Sequence, residues 1–565
     1  MRTNRILAVL LPSLLLAAQA SAAVSDEVFQ TAEPSLSEPL SKMAVEAGAL
    51  NKAYAQRLAP AEFREARPAI KVTPEMRGHG APDAAARIQA AAKVAAGPPA
   101  AIGVLLQPVY TNALLNFEGN SANGSAPSDV NGAVGATQYV QWVNGNAGLS
   151  IFDKTTGAAL PGSPMSGNAP WAGFTGTPGA DACRTSGQGD ILAQYDKLAG
   201  RWVLSQFAWL NANTNTGPYY QCVAVSTTND ATGAYNRYVF TSQTAAGATV
   251  FNDYGKVGIW PDAYYFTYVL FTPLAIGNYL GPQVCGYDRA AMLAGGVATA
   301  KCKEFGTAFG PLLPSDVDGT TPPPAGSPNF LMGFDFNGAG AGNLLQLWKY
   351  SFTTNVLSAR TDIPVTPFTV GCPSTFGGAC VAQPAPGEVL DALADRPMYR
   401  QPYRNYGSRE VLMLNHSVQQ PGAATNGPLG VRWYELRNPN AAVSVYQQGT
   451  YAPDTNSRWM GSAAMDKKGN IALGYSVASS AVFTSVRYTG RVRSEPSGFL
   501  ETEASIMAGT GSQTGTFNRW GDYSSMSIDP TDDCTFWYTQ QYIATTGSFN
   551  WKTRIASFKF KNCTP

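Results

Sequence analysis

The chain has 565 residues, with 39 Lys and Arg against 38 Asp and Glu, a net charge of +1 and only 14% charged residues. A balance this even excludes the electrostatic footprint of a nucleic-acid or anionic-membrane binder. With 57 Gly, 11% aromatics and few helix-favouring charges, the composition points to an all-β protein rich in turns.

The N-terminus, "MRTNRILAVLLPSLLLAAQASAA", joins Arg2 and Arg5 to an apolar run from Ile6 to Ala18 and to Ala20-Ser21-Ala22. That is the pattern of a secretory signal peptide, residues 1–22. The run is too short to span a bilayer, and no later stretch reaches the ~18 apolar residues a membrane helix needs. The expectation is an exported, soluble protein, extracellular or periplasmic and monomeric. Residues 23–104 are Ala-rich and charged, as in "LSKMAVEAGALNKAYAQRL" and "PDAAARIQAAAKVAAG", with Pro-containing breaks between. They read as a helical extension or propeptide. From residue 105 to 565 the helical pattern disappears.

All 8 Cys follow the signal: Cys183, Cys222, Cys285, Cys302, Cys372, Cys380, Cys534 and Cys563. An even number in an exported chain reads as disulfides, and sequential pairing would staple four local loops. Zinc is disfavoured, because there is no Cys-x-x-Cys and the only His are His79 and His416.

A weak repeat organises the rest. "SDVNGAVGATQYVQWVN", "GDILAQYDKLAGRWVLSQFA", "NDYGKVGIWPDAYYFTYVLF", "RPMYRQPYRNYGSREVLMLNHSV", "RWMGSAAMDKKGNIALGYSV" and "GDYSSMSIDPTDDCTFWYTQQ" share one plan. A leading polar residue precedes small or apolar residues, a turn with Asp, Gly or Asn, and a β-rich strand. Asp196, Asp262, Asp466 and Asp529 sit where a carboxylate closes a hairpin by accepting from nearby backbone N–H groups. "NFLMGFDFNGAGAGNLLQLWKYSF" (329–352) is assigned to the one interval without a clear unit. Units of about 60–75 residues match a β-propeller, with seven blades the best count and six or eight open. The final strand "WKTRIASFKF" is expected to close the ring on "TNALLNF".

"NDYGKVGIWPDAYY", "RWMGSAAMDKKGNIALGYSV" and "GTGSQTGTFNRWGDYSSMSIDPTDDCTFWYTQQY" resemble a family of exported bacterial β-propeller proteins, over roughly residues 125 to 563. The resemblance implies the fold and the compartment and carries no activity with it.

Leading residues of a propeller unit fall at one rim of the central channel. Here they are Asp129, Asp190, Asp253, Arg396, Arg458 and Arg519 with Asp522, accompanied by Tyr254, Tyr399 and Tyr523. His416 is expected to return to the same rim on a second strand. Asp190 with Arg396, Arg458 and Arg519 forms the candidate ligand-binding set, since guanidinium suits a carboxylate or sulfate. Three arginines around a mouth resemble the sialidase propellers in arrangement only. The Ser-x-Asp-x-Gly-x-x-Trp turn of those proteins is not met by "AMDKKGNIAL". Asp–Arg pairs that hold neighbouring inner strands in register would use the same residues.

The leading expectation is recognition of an extracellular polymer, an acidic glycan, at the channel mouth. A glycoside hydrolase would draw on Asp253, Asp522, Tyr254 and Tyr523. A polysaccharide lyase would pair Arg458 or Arg519 with Tyr523 and His416. A non-catalytic scaffold stays open, and a serine hydrolase lacks its Gly-x-Ser-x-Gly elbow. No cofactor is expected. "DVDGT", with Asp316 and Asp318, and "DPTDD", with Asp529, Asp532 and Asp533, leave structural calcium open but read first as turns.

Overall fold

The computed structural model describes residues 27–43, 101–102 and 110–564, apart from 146, 187–188, 211–213, 376 and 516–517. The signal segment, His79 and most of the Ala-rich extension lie outside the described residues. What is described is all-β, with short helices such as Ala180–Thr185 and Arg289–Ala294.

The strands form antiparallel meanders in chain order. The first is Asn131–Val134, Gln138–Trp142 and Leu149–Asp153; the second runs from Gly189–Asp196 to Tyr235–Ser242, and the third from Phe251–Ile259 to Ala298–Glu304. A fourth starts at Leu313–Asp318 and a fifth at Gln401–Asn405, and these two opening strands pair in parallel, Ser315 opposite Gln401. The sixth runs from Ser457–Met465 to Ala504–Met507, and the last holds Ser525–Ile528, Phe536–Ile543 and Trp551–Phe558. Its outer strand comes from the start of the chain: Leu115–Ser121 pairs with Trp551–Phe558, Phe117 opposite Ile555. The expected closure of the last strand on "TNALLNF" is therefore observed.

Each meander's opening strand touches the opening strands of its neighbours, and the sequence of contacts returns from Ser525–Ile528 to Asn131–Val134. The result is a propeller-like ring around an axis. Crowding there explains the small residues: a Cβ at Gly258 would collide with the Ser315 carbonyl. Polar side chains on these strands satisfy their neighbours' backbone. Asn131 Oδ1 accepts from Ala193 N at 2.7 Å, Asp316 Oδ1 from Ile259 N at 3.0 Å and Ser462 Oγ from Met526 N at 3.0 Å.

Between meanders the core is aromatic. Phe240 packs on Tyr287 at 4.3 Å, Tyr488 on Phe558 at 3.8 Å and Tyr139 on Trp537 at 5.3 Å between ring centroids. Trp142, Trp171, Trp260 and Trp459 are fully buried, so they pack the core and offer no exposed stacking face. The turn chemistry is as read for Asp196, whose Oδ1 accepts from Leu198 N and Ala199 N at 3.0 Å each, and for Asp466 and Asp529. Gly200, at φ 65°, closes the first of these turns. Asp262 departs from the pattern: its carboxylate accepts from the Tyr265 hydroxyl and from Thr353. The disulfides are Cys183–Cys222, Cys285–Cys302, Cys372–Cys380 and Cys534–Cys563, the sequential set.

The helical patterns read in residues 23–104 lie almost wholly outside the described residues, and the expectation that 329–352 supplies the fourth unit fails. The described start of the extension is strand, Glu27–Ala32 adding to the third meander and Ser35–Leu36 to the second, with residues 40–43 helical. Alternating burial of Val28 and Ala32 against exposed neighbours explains why it pairs with a sheet edge. The fourth opening strand is Leu313–Asp318, while Asn329–Asp335 and Ala341–Ser351 follow it outward. Asp316 and Asp318 are thus strand residues, not a turn or a calcium loop. Both are buried because Arg400 pairs with each of them and Lys197 pairs with Asp318. The DPTDD carboxylates also diverge. Asp529 meets Lys154 at 2.9 Å, Asp532 accepts from Cys534 N and Thr535 N, and Asp533 holds Arg404 through two bonds of 2.7 Å.

Candidate functional site

The opening strands of three meanders carry the same local device. Register shifts between Gly189 and Leu192, between Asp253 and Lys256, and between Trp459 and Ser462 leave a two-residue bulge in each. One residue of each bulge is left-handed: Asp190 at φ 45°, Tyr254 at φ 53° and Met460 at φ 50°. Asp129, at φ 44°, takes the same conformation just before Asn131–Val134. A non-glycine residue pays roughly 1–2 kcal/mol to sit there. Strain of this kind is found at bulges and at functional sites.

Acids gather beside the first of these bulges. One carboxylate oxygen each from Asp129, Asp190 and Asp522 lies within 4.8 Å of the others, and all three residues are buried. Asp129 accepts from Asp522 N and from Asn144 Nδ2, both at 2.9 Å. That oxygen spacing suits one cation or the hydroxyls of a polyol. Asp253, 1% exposed, acts electrostatically on the same lysine, Lys256, as these three acids.

At the centre stands Lys256, which the sequence reading missed. It is fully buried, donates to Gly255 O at 2.9 Å, and sits 3.7 Å from the Tyr254 ring centroid and 3.9 Å from that of Tyr523. Burial pushes its ammonium down to about 8, against the opposing pull of Asp190, Asp129, Asp522 and Asp253. The signal was available: a single Lys inside "NDYGKVGI", between the polar Asn252-Asp253 pair and an apolar stretch.

The tyrosines present ring faces to Lys256, and their hydroxyls bond backbone carbonyls. Tyr523 donates to Ile191 O at 3.0 Å and Tyr254 to Pro397 O at 3.2 Å. Burial raises the Tyr254 hydroxyl well above its ordinary range. Tyr399 lies deeper on the axis, accepting from Gln194 Nε2 at 3.2 Å.

The three arginines are each engaged by carboxylates. Arg396 makes bonds of 2.8 and 3.0 Å to Asp395 and stacks 4.6 Å from the Tyr254 ring. Arg519 bridges Asp391, at 2.7 Å, and Asp522. Arg458 is buried between Asp454 and Glu503, the latter beside the outermost strand of its own meander. Arg396 and Arg519 therefore border the acidic group, and Arg458 does not. The expected guanidinium rim is replaced by ion pairs.

His416 is also elsewhere. Its ring lies 4.3 Å from Phe334 and 4.7 Å from Phe368, with Nε2 3.0 Å from the Tyr434 hydroxyl. Burial, with Arg432 nearby, holds it well below the usual imidazole range, so it is neutral. Strand alternation turns it between sheets rather than toward the mouth.

Farther along the axis, Arg400 joins Asp316 and Asp318 and donates to Met526 O at 3.0 Å. This residue, four positions beyond Arg396, was also missed, because its partner lies 84 residues away in sequence.

No family model and no curated protein matches the chain. Among solved structures, an ulvan lyase of a new polysaccharide lyase family is 11% identical, covering 78% of this chain and 97% of its own at TM-score 0.34. A Trypanosoma rangeli sialidase is 10% identical, with 66% and 53% covered and TM-score 0.33. An exo-β-1,3-galactanase from Clostridium thermocellum is 11% identical, with 66% and 78% covered and TM-score 0.29. At such values the fold rests on the strand pairing itself. Among the described residues no helix is long and apolar enough to cross a membrane.

Proposed function

We propose that the protein is an exported seven-bladed propeller, residues 105–565, that recognises an extracellular glycan at the acidic end of its axis. The supporting observation is the convergence of the Asp129, Asp190 and Asp522 carboxylates, the first two on left-handed backbone, beside Lys256. Buried carboxylates accept hydrogen bonds from sugar hydroxyls, and an excess of acids repels a polyanion. The ligand class is therefore a neutral glycan, in place of the acidic one that unpaired arginines would have favoured. Export rests on the signal pattern and the four disulfides.

A glycan-array and polysaccharide-binding screen of the mature protein tests this reading. Neutral glycans should bind, and Asp190→Asn should weaken them at least tenfold with the fold intact. Binding confined to uronate or sulfate polymers, or no effect of Asp190→Asn, would refute it.

A second reading is retaining glycoside hydrolysis, favoured by carboxylate oxygens within 4.8 Å of one another, close to the roughly 5–5.5 Å used by such enzymes. Release of reducing ends, abolished by Asp522→Asn, would establish it. The lyase reading has less support, since His416 sits between sheets and both tyrosine hydroxyls donate to backbone carbonyls.

A further inference from the structure

The segment between Thr361–Thr369 and Gln401–Asn405 is an insertion, not a plain connection. It begins at the Cys372–Cys380 disulfide and includes a small hairpin, Ala379–Val381 with Leu390–Asp391. From there the chain crosses the ring. Asp391 accepts from Trp520 N at 2.7 Å, donates its own N–H to Asn518 O at 2.8 Å and pairs with Arg519 at 2.7 Å. Those partners lead into the last meander. A few residues later, Arg396 covers the Tyr254 ring at 4.6 Å and Pro397 O accepts from the Tyr254 hydroxyl, in the third meander. The last and third meanders are separated in the ring by the first and second, which supply Asp129 and Asp190. Residues 391–397 therefore form a bar over the acidic end of the axis.

The bar is fastened by side chains at its two ends. Gln383 and Gln513 exchange hydrogen bonds of 2.9 Å, and Ser512 Oγ donates to Pro384 O at 2.7 Å, which extends the fastening upstream. Within the bar, Leu393 is left-handed at φ 41°, a strained conformation for a branched apolar residue. Beneath it the acids and Lys256 are at most 2% exposed. A site this closed admits a ligand only if something above it moves.

We propose that residues 391–397 are a gate over the axial acids, latched by Arg519, which holds Asp391 of the gate and Asp522 of the site at once. A ligand group that takes Asp522 loosens Arg519 on one side, so occupancy and gate position are linked. Losing the Asp391 link frees the bar without touching the site below. The inference rests on the acidic end being the working end of the molecule, but its test uses no sugar.

Acetic anhydride labels uncharged lysine amines in proportion to their access, read by peptide mass spectrometry. Lys256 reports the gated site, and Lys197, a largely covered lysine away from the gate that pairs with Asp318, reports opening elsewhere in the fold. Asp391→Asn keeps an acceptor for Trp520 N and removes the charge from Arg519. The expected result is a rise of about tenfold in labelling of Lys256, the change for one ion pair, with Lys197 unchanged. An equal rise at both lysines, or none at Lys256, overturns the gate. Hydrogen exchange on the wild-type chain is independent of any variant. The amides of Asp391, Ala392 and Ala394, bonded to Asn518 O, Gly378 O and Gly377 O, should exchange together and faster than those of Gln401–Asn405. Equal protection of the two segments also overturns it. Failure of the glycan screen would leave both results standing, so the two readings fail separately.

Discussion

Replacing Lys256 by Met should change how stability depends on pH, and the sign follows from burial. In the unfolded chain the amine titrates near 10.5, whereas burial holds it to about 8 in the fold. Below pH 8 both states carry the proton. Between the two values the unfolded chain keeps a proton that the folded chain has lost, so this group raises stability as pH climbs through that window. Each pH unit is worth about 1.4 kcal/mol, and the whole window adds about 3 kcal/mol to the wild type. Lys256→Met removes the gain and keeps a side chain of similar length between the Tyr254 and Tyr523 rings. The assay is urea unfolding of both proteins, disulfides intact, at half-unit steps from pH 7 to 10.5, taking the difference at each pH so that other titrations cancel. The wild type should gain on the variant through the window. A flat difference would mean that Lys256 titrates alike in both states. A difference that falls with pH would mean that Asp129, Asp190, Asp253 and Asp522 outweigh desolvation, and the account of the site would be wrong.

Arg400→Met leaves the buried Asp316 carboxylate without its cation and Asp318 with Lys197 alone, and should cost about 3–5 kcal/mol, read as a lower urea midpoint. Arg458→Ala should cost about 1–3 kcal/mol and leave glycan binding unchanged, since its partners Asp454 and Glu503 lie away from the axial acids; weakened binding at constant stability would count against the ion-pair role. His416 is neutral when folded, so the unfolded chain binds the extra proton and stability falls as pH drops below about 6.5, by up to about 1.4 kcal/mol per unit. His416→Phe should flatten the profile between pH 6.5 and 5, which circular dichroism melts would detect.

Several features were legible in the sequence because their causes are local. An Asp that accepts from its own backbone two and three residues on needs no distant partner, and Asp196, Asp466 and Asp529 behave as read. Sequential cysteines close short loops, and the pairings follow chain order. Alternating apolar strands at regular spacing imply sheets that must close, and Trp551–Phe558 does close on Leu115–Ser121. The leading acids Asp129, Asp190 and Asp522 do meet at one end, because strand starts share a position in the repeat.

Charged residues were legible as positions but not as roles. An arginine reads the same whether it faces a ligand or a carboxylate, and Arg396, Arg458 and Arg519 find carboxylates. Asp316 and Asp318 read as a turn because strands seldom bury two acids; Arg400, from the neighbouring opening strand, makes that burial tolerable. Lys256 gains its place only when the Tyr254 and Tyr523 rings close on either side of it. Hydrogen bonds to near backbone and apolar periodicity act over a few residues, so most strands, the turns at Asp196, Asp466 and Asp529 and the ring's closure were set by sequence alone, with sequential disulfides the simplest of the pairings it left open. The pairing of buried charges depends on which strands become neighbours, and that only the tertiary structure decided.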